Sequence, residues 1–415
     1  MSNRQLTADI VAKAAVAILD NELIFADKVF RGYEEDFKMR PNGYTPGETI
    51  SIRKPTDYTV RSGSVAAVQD VVEGKTSITV NRVRGIDFAF TSQELTMKIE
   101  DLAERAIKPA MVQLANEIDK DVASLALDIP SWVGTAGQTI NSFADFAAAP
   151  QRLDEYAVGR DGRMAALSPA DYWGLVGSQT ALFNNSINGK SYRDGSAGDI
   201  GGVSTHMSQN VQSLTTGTRS GTILVDLSIT ASTITYDAVK DTMTQTIHID
   251  GLTGATDTIK AGEVFTIAGV YAVNPVTKQR LPFLKQFVVT ADATAASNEV
   301  DLVIYPAMIW SGAFKNVDVV GVTDLNNQVV TFFGSASTVY PQNLVFQKNA
   351  FALVTVPLVA PPGAVDVGRQ TYKGTSVRVI PVYDGINDKS MWRLDVLYGI
   401  KTVDPRLATR LSGAS

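Results

Sequence analysis

Between Glu48 and Phe90 the sequence repeats with a period of two. Ile50 and Ile52 alternate with polar residues on the way out, and Ile78, Val80, Ile86, Phe88 and Phe90 share one parity with Arg82 and Arg84 on the way back. This pattern predicts a long two-stranded hairpin. Its middle, Arg61 to Lys75, is punctuated by Gly and Ser, and a two-stranded ribbon is marginal on its own in water. The hairpin is therefore expected to lie against a neighbouring molecule, so the chain should work as part of an assembly.

The flanking segments are helical in pattern. Thr7 is a plausible N-cap for a helix reaching to about Phe30, with Ile10, Ala14, Ala17, Ile18 and Phe25 as its apolar stripe. Two prolines and two glycines between Arg40 and Gly47 then break the chain, which predicts an arm that docks on something else. After the hairpin, Thr91-Ser92-Gln93-Glu94 has the capping-box pattern. Ile107, Met111, Leu114, Ile118, Val122 and Leu125 follow at helical spacing up to Ile129-Pro130, and Pro109 should kink or divide this longest helix. From Asn141 to Gln212 short helices alternate with loops. Ser168 caps one helix with Pro169 in its first turn, and Asn184 to Gly202 reads as an extended or mobile loop.

From about Asp226 to Pro341 the composition shifts to Thr, Val and Ile with turn residues at short intervals. Strands are predicted at 246–249, 264–267, 287–290, 300–304 and 329–333, and they suggest a compact inserted β-barrel or sandwich. Its expected core is Phe265, Ile267, Val270, Phe287, Val289, Leu302 and Ile304. The chain closes with strand-like runs at 345–354 and 391–400, followed by Asp404-Pro405-Arg406.

Little in the sequence points to chemistry. Cys 0 removes disulfides and thiolate catalysis, and the two histidines, His206 and His248, stand far apart without further ligands at metal spacing. Gly189-Lys190-Ser191 resembles the end of a phosphate loop, but Asn184 stands where that loop needs glycine and no strand precedes it. No catalytic, cofactor or metal residue is assigned, and the chain is expected not to be an enzyme. At 415 residues it should hold two or three domains, and its net charge of -6 is not that of a nucleic-acid binder. The first residues lack the features of a signal peptide, and no apolar run approaches the roughly 18 residues of a membrane span, so a soluble, unsecreted protein is expected.

Charge is distributed more informatively. The hairpin carries Arg53, Lys54, Arg61, Lys75, Arg82 and Arg84 against three acids, whereas the long helix carries Glu100, Asp101, Glu104, Glu117, Asp119 and Asp121 against fewer bases. A basic ribbon and an acidic helix in one chain can pair between copies and fix their register. Arg53, Arg82, Arg84, Glu100 and Glu104 are the candidate intersubunit contacts. Solubility alone is the competing account, because exposed pairs contribute only about 0–1 kcal/mol each.

The order of arm, hairpin, long helix, mixed domain with inserted β domain and closing strands resembles the major capsid proteins of tailed phages with the Hong Kong 97 fold. The insertion makes it most similar to the P-22-type coat proteins. The likeness is carried by Leu114-Ala115-Asn116-Glu117-Ile118, Ser168-Pro169-Ala170-Asp171-Tyr172, Tyr192-Arg193-Asp194-Gly195 and, most specifically, the tract from Lys260 to Val270. It implies an α+β fold divided into an N-terminal arm (1–47), an extended loop (48–93), a spine helix of the peripheral domain (94–130), an axial domain in two parts (131–225 and 342–372), an inserted β-barrel (226–341) and C-terminal strands of the peripheral domain (373–415). It further implies hexamers and pentamers of an icosahedral shell, assembled in the host bacterial cytoplasm with a scaffolding protein, joined to a portal protein and, where one is made, a decoration protein, and expanding as double-stranded DNA is enclosed without sequence-specific binding. No cofactor, membrane or covalent crosslink between chains is implied. Two other readings remain open: an encapsulin-like compartment, which would hold cargo protein rather than DNA, and a β-rich carbohydrate-binding or adhesive protein with the insertion as its ligand module.

Overall fold

The computed structural model describes residues 8–33, 48–61, 63–65, 68–91, 107–180, 194–361, 367–372 and 374–414. The chain forms two compact units, one from Met1–Ser51, Ser77–Ala123 and Phe351–Val403, the other from Ile52–Thr76, Ser124–Ala350 and Asp404–Ser415.

The first unit is organised by its longest strand, Lys389–Thr402. Leu394, Val396, Leu397 and Tyr398 are buried along it, which is the signature of a strand covered on both faces. It pairs antiparallel with Arg82–Thr91, in register from Lys389 opposite Thr91 to Tyr398 opposite Arg82. Its other edge takes Thr375–Asp384 and, further along, Phe351–Val356, and Gly368–Tyr372 extends the sheet. Gly85 faces Asp395, and a Cβ there would come within 2.6 Å of the Asp395 carboxylate, so only glycine fits.

Helix Ala8–Glu22 packs on this sheet and on helix Lys108–Ala123, so the arm docks on its own chain. The expected stripe is corrected within the helix, where Val11, Ala12, Ala15, Val16 and Leu19 face inward and Ile10 is 45% exposed, while Phe25 beyond it is buried as expected. Small Ala side chains let the helix approach closely, and the two candidate stripes differ by one residue in phase. The helix ends before a short turn of helix, Phe25–Lys28, whose leading backbone N–H groups at Ile24 and Ala26 donate to the buried Asp119 carboxylate at 2.8 and 2.9 Å. Helix Lys108–Ala123 buries Met111, Leu114, Ile118 and Val122 as expected and passes into a 3-10 turn, Ser124–Asp128. Pro109 stands in the first turn of this described helix, where a missing backbone donor matters least. The predicted cap at Thr7 and most of the capping box after Thr91 fall outside the described residues.

The second unit contains a six-stranded sheet in the order Trp132–Val133, Ala408–Leu411, Asn343–Gln347, Arg163–Leu167, Val203–Met207 and Asp199–Ile200. Helices Phe143–Glu155 and Pro169–Thr180 contribute to its core, and Ser168 caps the latter through an Asp171 N–H···Oγ bond of 3.2 Å. Two expectations change here. The run 345–354 is not one strand, because a 3-10 turn at Lys348–Ala350 separates Asn343–Gln347 from Phe351–Val356, which belongs to the first unit. The last strand, Ala408–Leu411, likewise belongs to the second unit and not with the preceding closing strands.

The inserted barrel is closed. Its strands run Gly221–Val225, Gln245–Leu252, Val300–Tyr305, Arg280–Val289, Val264–Val273 and Val330–Phe332 in order of pairing. The ring returns to its first strand through the Leu224–Val329 bridge, with Val225 N–H donating to Gln328 O at 3.0 Å and Asn327 N–H to Val225 O at 2.7 Å. All seven expected core residues lie in its apolar cluster, each at most 1% exposed. The chain enters and leaves along a paired two-stranded ribbon, Ser213–Thr215 with Val339–Pro341, so the ends of the insertion lie side by side. The barrel therefore starts at Gly221, earlier than the expected 226.

At its neck a buried ion pair ties the two crossing segments together. Glu263 Oε1 accepts from the N–H groups of Gly217 and Lys260 at 2.7 and 2.8 Å, while Oε2 pairs with Arg219. Arg219 also donates to Gly334 O at 2.9 Å in the segment that leads out of the barrel.

Candidate functional site

The hairpin begins as two paired strands, Glu48–Arg53 and Lys75–Val80. Lys54 N–H donates to Gly74 O at 2.8 Å, after which the strands part from regular pairing. Gln69 bridges them instead, accepting from Thr59 N–H at 2.9 Å and donating to Thr59 O at 2.7 Å. The segment beyond leaves large apolar side chains in solvent. Val60 is 99% and Val68 94% exposed, and Tyr58, Val65 and Val71 are exposed as well. Singly such residues are ordinary, but here five of them stand along one slender ribbon.

At the root of the hairpin the parity expected for Arg82 and Arg84 holds, but both already have partners within the chain. Arg82 lies 2.9 Å from Asp121 and Arg84 3.1 Å from the same carboxylate, with Glu117 at 3.7 Å from Arg84. The Tyr398 hydroxyl donates to Asp121 at 2.5 Å. These two arginines stand on Arg82–Thr91, a strand of the first unit's sheet, and not on the exposed ribbon. Arg53 does stand on the ribbon, its side chain 84% exposed and 3.4 Å from Glu73. Glu100 and Glu104 lie outside the described residues.

Burial pushes the Asp121 carboxyl up, but the Tyr398 hydroxyl, Arg82 and Arg84 outweigh it and hold the group below the usual carboxylate range. A depressed folded value means that this stabilisation is full above pH about 4 and is lost as the pH falls through the lower folded value. Asp121→Asn is accordingly expected to cost about 1–2 kcal/mol at pH 7 and to flatten the loss of stability between pH 4 and pH 2, as read by denaturant unfolding across that range.

Sequence reasoning missed three polar residues that hold the structure. One is Glu263, within the tract that carried the resemblance. Another is Arg410, fully buried, which donates to Gly262 O at 2.7 Å, Leu127 O at 2.6 Å and Gln342 Oε1 at 3.0 Å; burial pushes it down to about 9. The third is Asp119. Glu263 offered only a charge at the head of an apolar run, and Asp119 was masked by the charges around it, Glu117, Lys120 and Asp121. His248 has acquired neighbours, Asp301 at 2.7 Å and Glu299 at 3.5 Å, yet among the described residues no three His, Asp or Glu side chains converge as a metal site.

An antiparallel sheet built around a long closing strand, a hairpin leaving its edge and a closed barrel inserted into the other unit make up the α+β architecture expected of a Hong Kong 97-like capsid subunit. The profile described as P22 coat protein, gene protein 5, matches residues 4–413, and the chain belongs to that family. It is 21% identical over 383 residues to the major capsid protein of Acyrthosiphon pisum secondary endosymbiont phage 1, covering 88% of this chain and 89% of that protein. Among solved structures it is similar to a chain of Mycobacterium phage Che8, with 14% identity, a TM-score of 0.46 and coverage of 94% of this chain and 90% of that one. The capsid structure of cyanophage P-SCSP1u is another, with 11% identity, a TM-score of 0.42 and coverage of 91% and 86%.

The protein is thus a major capsid protein of a phage, a structural subunit of the virion and not an enzyme. Its working form is a homo-oligomeric shell. No helix among the described residues is long and apolar enough to cross a membrane.

Proposed function

We propose that the subunit assembles with a scaffolding protein, in the host cytoplasm, into an icosahedral precursor shell of hexamers and pentamers. The shell joins a portal protein, accepts a decoration protein where one is made, and expands on packaging double-stranded DNA. The exposed apolar ribbon carries this reading. Burying a Val side chain against a neighbour contributes about 1.5–3 kcal/mol, so several on each of many copies suffice to drive closure of a shell. The net charge of -6 suits a wall that encloses DNA without gripping it, since tight phosphate contacts need clustered bases.

In this reading the arm, extended loop, spine, axial, insertion and peripheral segments are the working parts of the subunit, with the insertion beginning at Gly221 and the closing segments divided at 350/351 and 403/404. Arg53 and the solvent-facing sides of Arg82 and Arg84 meet acids of an adjacent subunit, with Glu100 and Glu104 as the proposed acidic partners. The test is the double variant Val60→Asp/Val68→Asp. It should remain folded, with the thermal unfolding of the unaltered subunit, while shell formation with scaffolding protein falls at least about tenfold, equivalent to about 1.4 kcal/mol in all. Shells forming at the normal rate, followed by light scattering and electron microscopy, would remove the ribbon from the interface.

A further inference from the structure

The geometry points to a seat on the inserted barrel that fixes the angle of the same chain's hairpin, with Gly74 and Asp241 as its positioning residues. This inference rests on the hairpin being the assembly arm and adds what aims it. The loop joining the first two barrel strands carries a short helical turn, Tyr236–Val239, followed by Lys240 and Asp241. Asp241 Oδ1 accepts from the Lys75 N–H at 2.9 Å, and its backbone carbonyl accepts from Lys54 Nζ at 3.1 Å, so one residue holds both strands of the ribbon. Between these bonds Gly74 is buried in an otherwise exposed segment. A Cβ on Gly74 would stand 2.4 Å from Lys240 O and 3.2 Å from the Tyr236 hydroxyl, the first of these being backbone that cannot swing aside.

The seat is stiffened from beneath. Tyr236 stacks on Phe314 with ring centroids 3.4 Å apart, and Met243, at the end of the loop, accepts from Ala307 N–H at 2.7 Å. A second barrel turn reaches the ribbon further along, where Lys278 lies 3.3 Å from Asp57 with both side chains largely covered. The barrel thus touches the ribbon at residues 54, 57, 74 and 75 and leaves the apolar stretch from Tyr58 to Val71 for other molecules. A ribbon that cannot hold its own direction receives one from an element of its own chain, and a small change in the seat becomes a larger displacement at the tip.

The full-length subunit tests this by hydrogen exchange before assembly and by electron microscopy after it. In Gly74→Val and Asp241→Ala the Lys75 amide should exchange at least about tenfold faster, as expected when a charge-assisted hydrogen bond is lost, while the strand Val264–Val273 keeps its protection. Lys278→Glu should loosen the ribbon without any backbone clash, and Asp57→Lys in the same chain should restore it. Shells from the loosened variants should differ from the unaltered subunit in diameter or closure. Unchanged exchange in all of these variants overturns the seat, and a loosened ribbon that still gives shells of normal diameter and yield overturns its control of assembly. If the unaltered subunit forms no shell, the assembly reading fails while exchange still reports the seat.

Discussion

Replacing Phe287 by alanine is expected to destabilise the barrel by about 3–5 kcal/mol, the range for deleting a fully buried phenylalanine from a core. Phe287 is 0% exposed, stands opposite Phe265 in the strand pairing and has its ring 5.7 Å from the Phe265 ring. The side chain belongs to a cluster closed on all sides by paired strands, so the surroundings cannot collapse into the space it leaves. The measurement is calorimetry on a fragment spanning 213–341, which contains the paired ribbon at the neck and every barrel strand. That fragment should unfold cooperatively, and Phe287→Ala should lower its midpoint by roughly 10 °C or more. A fragment beginning at 226 lacks the strand Gly221–Val225 and the Arg219 partner of Glu263, and it should not give a cooperative transition. Equal behaviour of the two fragments would show that the closure is not needed for the fold.

Glu263→Ala should cost about as much by a different route. The substitution strands the buried Arg219 guanidinium and removes the acceptor of two backbone N–H groups, and breaking one side of a buried pair costs about 3–5 kcal/mol. The attraction within such a pair is largely offset by the desolvation of both charges, so Arg219→Met with Glu263→Gln should recover more than half of the loss, the glutamine oxygen still accepting from Gly217 and Lys260. Thermal unfolding of the 213–341 fragment compares the three variants. A double variant no better than Glu263→Ala would mean that the ion pair itself, and not the penalty of leaving it broken, holds the neck.

The barrel was legible because its information is local. Each strand is a short apolar run bounded by turn residues, and Phe265, Ile267, Leu302 and Ile304 announce an inner face without reference to anything distant. The hairpin was legible by its parity, but its root was not. Arg82 and Arg84 look like part of one continuous ribbon until Lys389–Thr402 pairs with their strand and brings Asp121 and Tyr398 beneath them. The break at Lys348–Ala350 was hidden by the apolar residues on both sides of it, and the face of the first helix by alternative stripes of similar hydrophobicity. Glu263 and Arg410 were invisible for a related reason: a buried charge betrays itself only through partners that sequence spacing does not reveal.

The chain passes between its two compact units five times, at 51/52, 76/77, 123/124, 350/351 and 403/404. A ribosome makes these segments in order, and that order treats the units unequally. The barrel with its neck is contiguous, so it can close once Pro341 has emerged. The sheet of the other unit must wait, because Arg82–Thr91 has its partner in Lys389–Thr402, some three hundred residues later. Until then an unpaired strand edge and the apolar face of the first helix stay open to the wrong neighbours, the condition under which long-range sheets aggregate. A nascent subunit thus carries a finished barrel beside an unfinished sheet, and its most dangerous interval is set by the time needed to synthesise its own C-terminus.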